Sequence, residues 1–413
     1  MILSIIGLGY IGLPTAALFA SKGVKVLGVD NDNIVVDSVN AGKVHIVESD
    51  LEDLVVSAVK SGNLKALNKP SKADVYIIAV PTPFMENNKP DLSFVKSAVK
   101  SISKVLEIGN LVILESTCPV GTTEKIVEWM KIERPDLTFP NSNSSSACDI
   151  SIAYCPERVL PGSIIRELEV NDRIIGGITE HCSKKAQQVY KVFLKGQCLL
   201  TDSKTAEMCK LVENSYRDVN IAFANELSVI SDKLNINVWE LIKLANHHPR
   251  VEILQPGPGV GGHCIAVDPW FIVDSAPDES KLIRTARLVN DQKPKFVINK
   301  LIDVVEKLQL DITKTTLSCL GLSFKPDIDD LRSSPAFEIA KNADQMGFSE
   351  LYIVEPNIKK LPNILENSKL VNFNDAIISS DIVLLLVDHA EFKNIDLTIL
   401  SGKHIIDTRG IWS

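Results

Sequence analysis

The sequence predicts an α/β protein in which two Rossmann-like, doubly wound domains are joined by a central helical domain. Short apolar runs alternate with helix-like stretches at both ends of the chain, and a glycine motif follows the first apolar run. A long segment without glycine or proline separates the two ends. Because 413 residues are too many for one ordinary core, we expect domains at 1–200, 201–300 and 310–413.

Apolar runs in the first part of the chain predict four strands. They are Ile2–Ile6, Val24–Val29, Val75–Val80 and Leu111–Leu114. Leu51–Lys60 and Phe94–Leu106 predict helices between them, and the polar stretch Asn141–Ser146 predicts a surface loop. Strands that alternate with helices indicate a parallel sheet with helices on both faces.

The central part predicts helices and the last part a second sheet. Thr205–Leu244 contains good helix formers, a loop is expected at Ala276–Asp278, and a further helix is expected at Lys281–Val289. Four more apolar runs predict strands at Leu317–Leu320, Leu351–Val354, Ile382–Val387 and His404–Ile406. The two α/β parts share a rhythm but no close sequence repeat.

The composition excludes several classes of protein. A net charge of −8 argues against a nucleic-acid binder, so the cations for an anionic substrate must be grouped in a pocket. Eight cysteines without CxxC or zinc-site spacing predict reduced thiols and no metal site. No segment predicts a membrane span, and we expect a cytoplasmic protein.

The motif Gly7-Leu-Gly9-Tyr10-Ile11-Gly12 predicts a dinucleotide site. It follows a predicted strand, it opens a helix, and Asp30 closes the next strand. Gly7 allows the tight turn, Gly9 lets the backbone approach a pyrophosphate, and Gly12 lets the helix pack on the sheet. A carboxylate at position 30 would accept ribose hydroxyls and repel a 2'-phosphate, which favours NAD over NADP.

Two threonines are further candidates for cofactor contacts. Thr82 and Thr117 follow strands that end at the carboxyl edge of the predicted sheet, where ligands of such sheets bind. A threonine at a strand end is more often structural, so each candidate depends on the glycine motif.

The stretch Gln255-Pro-Gly-Pro-Gly-Val-Gly-Gly-His-Cys264 predicts a shaped loop with a reactive thiol at its end. Its glycines leave room for a ligand against the backbone, and Asp268 follows shortly after the cysteine. Most cysteines are small buried hydrophobes, and Cys118 and Cys155 are the serious rivals.

A polar stripe on the central helix offers partners for the thiol. Lys210, Asn214 and Arg217 fall on one helical face among apolar residues. An average stripe of this kind is a solvated face, but its apolar neighbours indicate that this one is covered and has a polar function.

Six motifs in order resemble the UDP-glucose/GDP-mannose dehydrogenase family. They are GLGYIG, ESTCPVGTTE, YCPERVLPG, AEMCKLVENSYRDVNIAFANEL, HPRVEILQPGPGVGGHCIAVDPW and GLSFKPDIDDLRSSP, and they cover nearly the whole chain. More narrowly, the chain is similar to members that act on UDP-N-acetyl-D-mannosamine. The resemblance implies an N-terminal NAD domain, a central domain that forms a homodimer and a C-terminal domain that binds the UDP-sugar.

The resemblance also implies a four-electron oxidation of the C6 alcohol with two NAD. Cys264 would capture the aldehyde as a thiohemiacetal, which is oxidised to a thioester and hydrolysed to the acid. Lys210 and Asn214 would stabilise the oxyanion, and Asp268 and Glu157 would orient or activate water. The product implied is UDP-N-acetyl-D-mannosaminuronate, a precursor for polysaccharide biosynthesis.

The remaining family positions bind the ligands. The resemblance assigns a phosphate of the cofactor to Arg332, and in the family the residue matching Arg250 often reaches into the partner subunit's site. It assigns the substrate to Arg158, Val159, Leu160, Arg217, His248, Arg250, Gly261, Phe324 and Lys325. Arg409 stands where the family pattern has lysine, so its place among the substrate residues is a departure from the pattern.

Three alternatives stay open. The same chemistry could act on UDP-N-acetylglucosamine, UDP-glucose or GDP-mannose. A two-electron NAD dehydrogenase of similar architecture would have no use for Cys264. A non-catalytic NAD-binding sensor or scaffold would not cluster Cys264, Lys210 and Asp268 around a pocket.

Overall fold

The computed structural model describes residues 1–46, 48–85, 88–142, 147–160, 162–262 and 264–412. The chain divides into two compact units. The first unit contains Met1–Glu213 and Trp270–Pro277, and the second contains Asn214–Pro269 and Asp278–Ser413. Residues 143–146 of the predicted loop at Asn141–Ser146 lie outside the described residues.

The first unit is built on a sheet of eight strands. These are β1 (Ile2–Ile6), β2 (Lys25–Val29), β3 (Leu64–Leu67), β4 (Val75–Ile78), β5 (Leu111–Leu114), β6 (Ser151–Tyr154), β7 (Arg173–Gly177) and β8 (Cys198–Asp202). Their order is β3-β2-β1-β4-β5-β6-β7-β8, and every neighbouring pair is parallel except β6 and β7. The first six strands therefore have the order of a dinucleotide-binding fold.

Helices cover both faces of this sheet, as predicted. They are α1 (Gly12–Ser21), α2 (Asn33–Asn40), α3 (Leu51–Lys60), α4 (Ser93–Ser103), α5 (Thr122–Glu133), α6 (Ile164–Val170) and α7 (Glu180–Tyr190). Alternate residues of β4 enter different cores. Ile77 packs with residues of α1 and α3, whereas Tyr76 and Ile78 pack with residues of α4 and α5.

The central region is helical, but it is divided differently from the prediction. It contains α8 (Ser203–Leu234), α9 (Val238–Ala245), α10 (Asp268–Ser275) and α11 (Lys281–Lys307). The single helix expected over Thr205–Leu244 breaks at Asn235, whose φ is +56°. Asn237 then caps α9 by accepting hydrogen bonds from two backbone N–H groups. The last helix continues through a buried Pro294, well beyond the predicted end at Val289.

The second unit carries a five-stranded parallel sheet. Its strands are β9 (Thr316–Leu320), β10 (Glu350–Val354), β11 (Ser368–Leu370), β12 (Ile382–Leu385) and β13 (His404–Asp407), in the order β11-β10-β9-β12-β13. Its helices are α12 (Pro335–Asp344), α13 (Phe373–Ser379) and α14 (Ala390–Lys393). The order repeats that of the first five strands of the large sheet, so this is a second Rossmann-like domain.

Two kinds of feature are absent from the described residues. In that part of the chain, no helix combines the length and apolarity needed to cross a membrane. Nor do the described His, Cys, Asp and Glu side chains form any group of three or more that could hold a metal ion.

Candidate active site

The glycine motif forms a tight turn between β1 and α1. Gly7 has a φ of +95°, and a Cβ there would lie 2.6 Å from the carbonyl oxygen of Ala79. A Cβ on Gly12 would lie 1.8 Å from the carbonyl oxygen of Gly7, whereas a Cβ on Gly9 would meet nothing within 4 Å. Gly7 and Gly12 are therefore required by the turn, and Gly9 faces open space at the point where a pyrophosphate would approach.

Asp30 lies directly behind this turn. One of its carboxylate oxygens accepts the N–H of Leu8 at 2.9 Å and the other accepts the N–H of Asp32 at 3.0 Å. The side chain remains half-exposed, so it keeps lone pairs for ribose hydroxyls. At the same edge of the sheet, the hydroxyl of Thr82 donates to the carbonyl oxygen of Thr117 at 2.6 Å. Tyr10 is exposed and Ile11 is half-buried at the start of α1.

A buried lysine in the first unit is held by the segment after β6. Lys210 Nζ donates to the carbonyl oxygen of Glu157 at 2.8 Å and to its carboxylate at 3.0 Å. Arg158 pairs with Glu213 at 2.7 Å, one helical turn from Lys210. The side chains of Glu157 and Lys210 are 12% and 8% exposed, so each charge is compensated by the other.

In the second unit, Cys264 lies next to a buried polar pair. The thiol residue is exposed, and its carbonyl oxygen accepts the N–H of Asp268 at 2.9 Å as α10 begins. Asn214 is buried and donates from its amide to the carboxylate of Asp268, and Arg217 donates to the amide oxygen of Asn214. The predicted stripe therefore contains two buried members, Lys210 and Asn214, and one exposed member, Arg217.

The two rival cysteines are poor candidates. Cys118 and Cys155 are fully buried. Burial raises the pKa of Cys118 well above its usual value, and the neighbouring Glu207 carboxylate adds to the rise. Burial raises the pKa of Cys155 to about 11, although Arg173 opposes the change. Thiolate formation is disfavoured at both positions, and neither sulfur can reach a ligand.

The glycine-rich loop before Cys264 packs against the C-terminal sheet of the same unit. A Cβ on Gly261 would lie 2.8 Å from the Cβ of Phe324, and a Cβ on Gly262 would lie 2.9 Å from the ring of Phe324. A Cβ on Gly257 would lie 2.5 Å from the guanidinium of Arg409. The loop before Cys264 and the segment predicted to hold uridine diphosphate are thus in direct contact.

The guanidinium of Arg409 also pairs with the carboxylate of Asp388, which follows β12, at 2.8 Å.

The other predicted ligand positions lie near the surface. Val159 is half-buried, and Leu160, His248, Arg250, Lys325 and Arg332 are exposed. The side chain of His248 accepts the N–H of Arg250 at 3.3 Å, and Arg332 pairs with Asp330 at 2.7 Å. The second unit therefore carries several of the cations that an anionic substrate needs.

Two buried side chains of α8 were not predicted, one that holds the loop before Cys264 and one that holds the start of α5. Asn225 on α8 accepts the N–H of Gly257 at 2.9 Å and donates to Asn290 on α11 at 2.8 Å. Glu207, also on α8, accepts the N–H groups of Gly121 and Thr123 at 2.6 and 2.7 Å, at the start of α5. The only signal in the sequence is a polar residue on an apolar helix face, which does not identify the partner.

Three family models match successive parts of the chain. The NAD binding domain of the UDP-glucose/GDP-mannose dehydrogenase family matches residues 1–194, its central domain matches 204–292, and its UDP binding domain matches 318–413. The chain belongs to this family. The family, the enzyme class and the NAD cofactor predicted from the sequence are thereby confirmed: the chain is an NAD-dependent nucleotide-sugar dehydrogenase.

Individual relatives carry two different substrate names. The chain is 58% identical over 392 residues to the UDP-N-acetyl-D-mannosamine dehydrogenase of Campylobacter jejuni, and the match covers 94% of this chain and 95% of that relative. It is 54% identical over 411 residues to an NDP-N-acetyl-D-galactosaminuronic acid dehydrogenase of Ralstonia nicotianae, and the match covers 100% of this chain and 96% of that relative. The solved structure of a UDP-D-ManNAc dehydrogenase from Pyrococcus horikoshii has a TM-score of 0.88 at 36% identity, over 100% of this chain and 96% of that chain. This similarity confirms the predicted fold class.

Proposed function

We propose that this chain oxidises the C6 alcohol of UDP-N-acetyl-D-mannosamine to the carboxylate and consumes two NAD per sugar. The observation that carries the proposal is Cys264, an exposed thiol at the end of a glycine-rich loop and beside a buried Asn214–Asp268 pair. An aldehyde needs a covalent anchor if it is to be oxidised again before it leaves, and a thiol supplies one. The Campylobacter jejuni and Pyrococcus horikoshii relatives carry this substrate in their names.

The proposed reaction has three chemical steps. The first oxidation converts the C6 alcohol to an aldehyde, and the sulfur of Cys264 bonds to its carbonyl carbon to give a thiohemiacetal. The second oxidation converts this adduct to a thioester, and water then breaks the C–S bond to release the acid and restore the thiol. NAD, when bound, accepts one hydride at each oxidation. In this proposal, Gly7, Gly9, Tyr10, Ile11, Gly12, Asp30, Thr82, Thr117 and Arg332 hold NAD.

The polar residues of α8 and α10 act on the oxygen and proton of this sequence. We assign Lys210 and Asn214 to the oxyanion of the tetrahedral adduct, because each places an N–H donor on a buried side chain. Glu157 fixes the ammonium group of Lys210 through two hydrogen bonds. Asp268 already accepts the amide of Asn214, and we assign the orientation of the hydrolytic water to Asp268 and Glu157.

A coupled assay of NADH and product tests the chemistry. UDP-N-acetyl-D-mannosamine should yield two NADH and one uronic acid per sugar, and Cys264→Ala should lower kcat by more than about a thousandfold. Cys209→Ala is the matched control, because that half-buried cysteine lies on α8 and has no part in the proposed reaction. One NADH per sugar, or full activity in Cys264→Ala, would contradict the mechanism.

The second candidate substrate is a nucleotide-linked N-acetyl-D-galactosamine derivative. The Ralstonia nicotianae relative, with its different name, matches over the whole of this chain. The same assay with UDP-N-acetylgalactosamine, UDP-N-acetylglucosamine, UDP-glucose and GDP-mannose separates the candidates. The proposal requires the highest kcat/KM for the mannosamine compound.

We also propose a cytoplasmic homodimer that forms through the central helices. Six exposed apolar residues of α8 lie within an arc of about 80°, at 100° per residue, and form one stripe. They are Met208, Val212, Tyr216, Phe223, Ile230 and Leu234. A contiguous apolar stripe exposed to water marks a surface that favours a protein partner. A dimer would let the exposed Arg250 act in the partner's site, as the family resemblance implies.

Size-exclusion chromatography with light scattering tests the dimer. The unmodified chain should elute at twice the chain mass, and the double variant Tyr216→Asp/Phe223→Asp should elute at the chain mass. Ile108→Asp, at an apolar residue with 74% exposure outside α8, is the control and should remain dimeric. A monomeric unmodified chain would exclude the homodimer. The cytoplasmic assignment agrees with eight cysteines that all lie in the described residues and form no disulfide.

A further inference from the structure

The C-terminal sheet contains a copy of the turn that begins the NAD site. Gly321 follows β9 as Gly7 follows β1, and their φ angles are +90° and +95°. The N–H of Gly321 donates to the carbonyl oxygen of Val354 at 2.8 Å, and the N–H of Gly7 donates to that of Val29 at the same distance. The chain therefore leaves the first strand of both sheets in the same way.

An acidic residue completes the turn in both sheets. Asp30 follows β2 and accepts the N–H of Leu8 at 2.9 Å. Glu355 follows β10 and accepts the N–H of Leu322 at 2.7 Å. Glu355 thus occupies the position that holds the ribose of a dinucleotide in folds of this type.

The surroundings of Glu355 differ from those of Asp30, because its acceptors are filled from within the protein. Its side chain is 0% exposed. One oxygen accepts the N–H of Ser323 at 3.0 Å and is 3.1 Å from Nε2 of His389, in addition to Leu322. The other oxygen accepts the N–H and the amide of Asn357, both at 3.2 Å. The carboxylate of Glu355 is therefore not available to accept a hydrogen bond from a ribose hydroxyl.

His389 links Glu355 to the far end of the same loop. The N–H of Asp327 donates to Nδ1 of His389 at 2.9 Å, so Nδ1 is the unprotonated nitrogen and Nε2 donates to Glu355. The ring is 1% exposed and packs edge-on against Phe392, with ring centres 5.4 Å apart. Glu355 and His389, which we call the carboxylate–imidazole clamp, therefore fix residues 322, 323 and 327.

The residues between these anchors are Phe324, Lys325 and Pro326. The hydroxyl of Ser323 donates to the carbonyl oxygen of Lys325 at 2.8 Å, which closes the loop on itself. The ring of Phe324 lies against Gly262 in the loop that ends at Cys264. A movement of residues 322–327 would consequently move the surface on which the loop before Cys264 rests.

We propose that the carboxylate–imidazole clamp positions Phe324 and Lys325 to bind the pyrophosphate and nucleoside of the substrate. Because the acceptors of Glu355 are already filled, the same clamp excludes the ribose of a dinucleotide from this position. Glu355 and His389 are positioning residues, since they act through the loop and not on the reacting atoms. The inference rests on the proposed function, which places the nucleotide of the UDP-sugar at Phe324 and Lys325.

Direct binding of UDP and of NADH to the full chain separates the possible outcomes. In isothermal titration calorimetry, His389→Ala should raise the Kd of UDP by about tenfold, because the N–H of Asp327 loses its acceptor, and should leave the Kd of NADH within about twofold. His389→Asn places an amide oxygen near the position of Nδ1 and should restore the Kd of UDP to within about threefold of the unmodified value. His389→Gln places its amide near Nε2 instead and should resemble His389→Ala.

The control is Val383→Ala, which removes buried methyl groups from β12 in the same sheet. It should lower the Tm of the protein and leave the Kd of UDP unchanged. If the unmodified chain does not bind UDP, the proposed function fails at this site. If the unmodified chain binds UDP and a folded His389→Ala binds it equally well, the positioning role is excluded. Equal weakening in Val383→Ala and His389→Ala would also exclude it, since general loss of stability would then explain both.

Discussion

In the first sheet, the carboxylate of Asp30 after β2 is half-exposed, whereas in the second sheet the corresponding carboxylate of Glu355 after β10 is fully buried. Asp30 accepts two backbone N–H groups and keeps further lone pairs at the surface. Glu355 accepts five hydrogen bonds from Leu322, Ser323, Asn357 and His389. One backbone turn therefore supports an open ligand position in one domain and an internal anchor in the other.

The loop that follows the turn differs as well. After Gly7 the chain enters α1 at Gly12, and a Cβ on Gly9 would meet nothing within 4 Å. After Gly321 the chain runs through residues 322–334 before α12 begins at Pro335. The short turn brings backbone N–H groups and the start of a helix close to a phosphate, whereas the longer loop has room to present side chains such as Phe324 and Lys325. The longer loop needs the additional anchors that Glu355 and His389 provide.

The largest expected effect comes from adding a methyl group to the shared turn. Gly7→Ala and Gly321→Ala each place a Cβ in a left-handed conformation and within 2.6 Å of another atom. Each should lower the free energy of unfolding by about 3 kcal/mol or more, from backbone strain and overpacking together. Urea denaturation followed by fluorescence and circular dichroism measures the change.

Each half of the comparison has its own control. Gly23 in the first unit and Gly347 in the second also have left-handed φ angles, of +82° and +81°, but a Cβ on either meets nothing within 4 Å. Gly23→Ala and Gly347→Ala should therefore cost only about 1 kcal/mol each. If Gly321→Ala costs no more than Gly347→Ala, the two turns are not equivalent.

Isosteric removal of the two acidic groups should separate their roles. Asp30→Asn should raise the KM for NAD by about tenfold and change the Tm little, because one charge-assisted ligand hydrogen bond is weakened at a half-exposed site. Glu355→Gln should leave the KM for NAD unchanged and lower the stability by about 1–3 kcal/mol, because its amide group would face N–H donors. Initial rates and thermal melts of both variants provide the test. A raised KM for NAD in Glu355→Gln would show that the second turn had kept a role in cofactor binding.

Much of the fold followed from the sequence because apolar runs and turn residues act locally. The strand predicted at Leu111–Leu114 and the helix predicted at Leu51–Lys60 agree with β5 and α3 residue by residue. The strands β3, β6, β7, β8 and β11 were not predicted. β8 is an exposed edge strand, and β7 contains a buried Arg173 that pairs with Glu115, so neither has a simple apolar pattern. The predicted domain boundaries at 200, 300 and 310 stay a prediction.

The candidate site was predictable where one segment contains its own chemistry, as in the glycine motif and the loop before Cys264. The anchors were not predictable, because each depends on residues distant in sequence. Asn225 meets Gly257, and Glu355 meets His389, only after the helices and strands have packed. An apolar helix face with one asparagine, or a strand end with one glutamate, has many equally plausible partners in a linear sequence.

The smallest expected effect is a pH dependence of stability that distinguishes the buried carboxylate of Glu355 from an exposed one. Burial by itself raises the pKa of Glu355, but the hydrogen bonds from His389, Leu322 and Ser323 together outweigh burial and hold this pKa below the ordinary value of 4.5. The unfolded chain therefore binds a proton at a higher pH than the folded chain does. The stabilisation from ionised Glu355 is fully present above the unfolded pKa and is lost as the pH falls through the lower, folded pKa.

The difference in the free energy of unfolding between the unmodified chain and Glu355→Gln, obtained by urea denaturation at each pH, measures this contribution. It should be constant from neutral pH down to about pH 5 and should shrink below about pH 4.5, as the carboxylate becomes protonated in both states. Glu391→Gln, at an exposed carboxylate on α14, is the matched control and should differ from the unmodified chain by less than about 0.5 kcal/mol at every pH. A difference that grows on acidification would mean that Glu355 is stabilised in its protonated form. The contrast between an internal anchor at Glu355 and an open ligand position at Asp30 would then have to be abandoned.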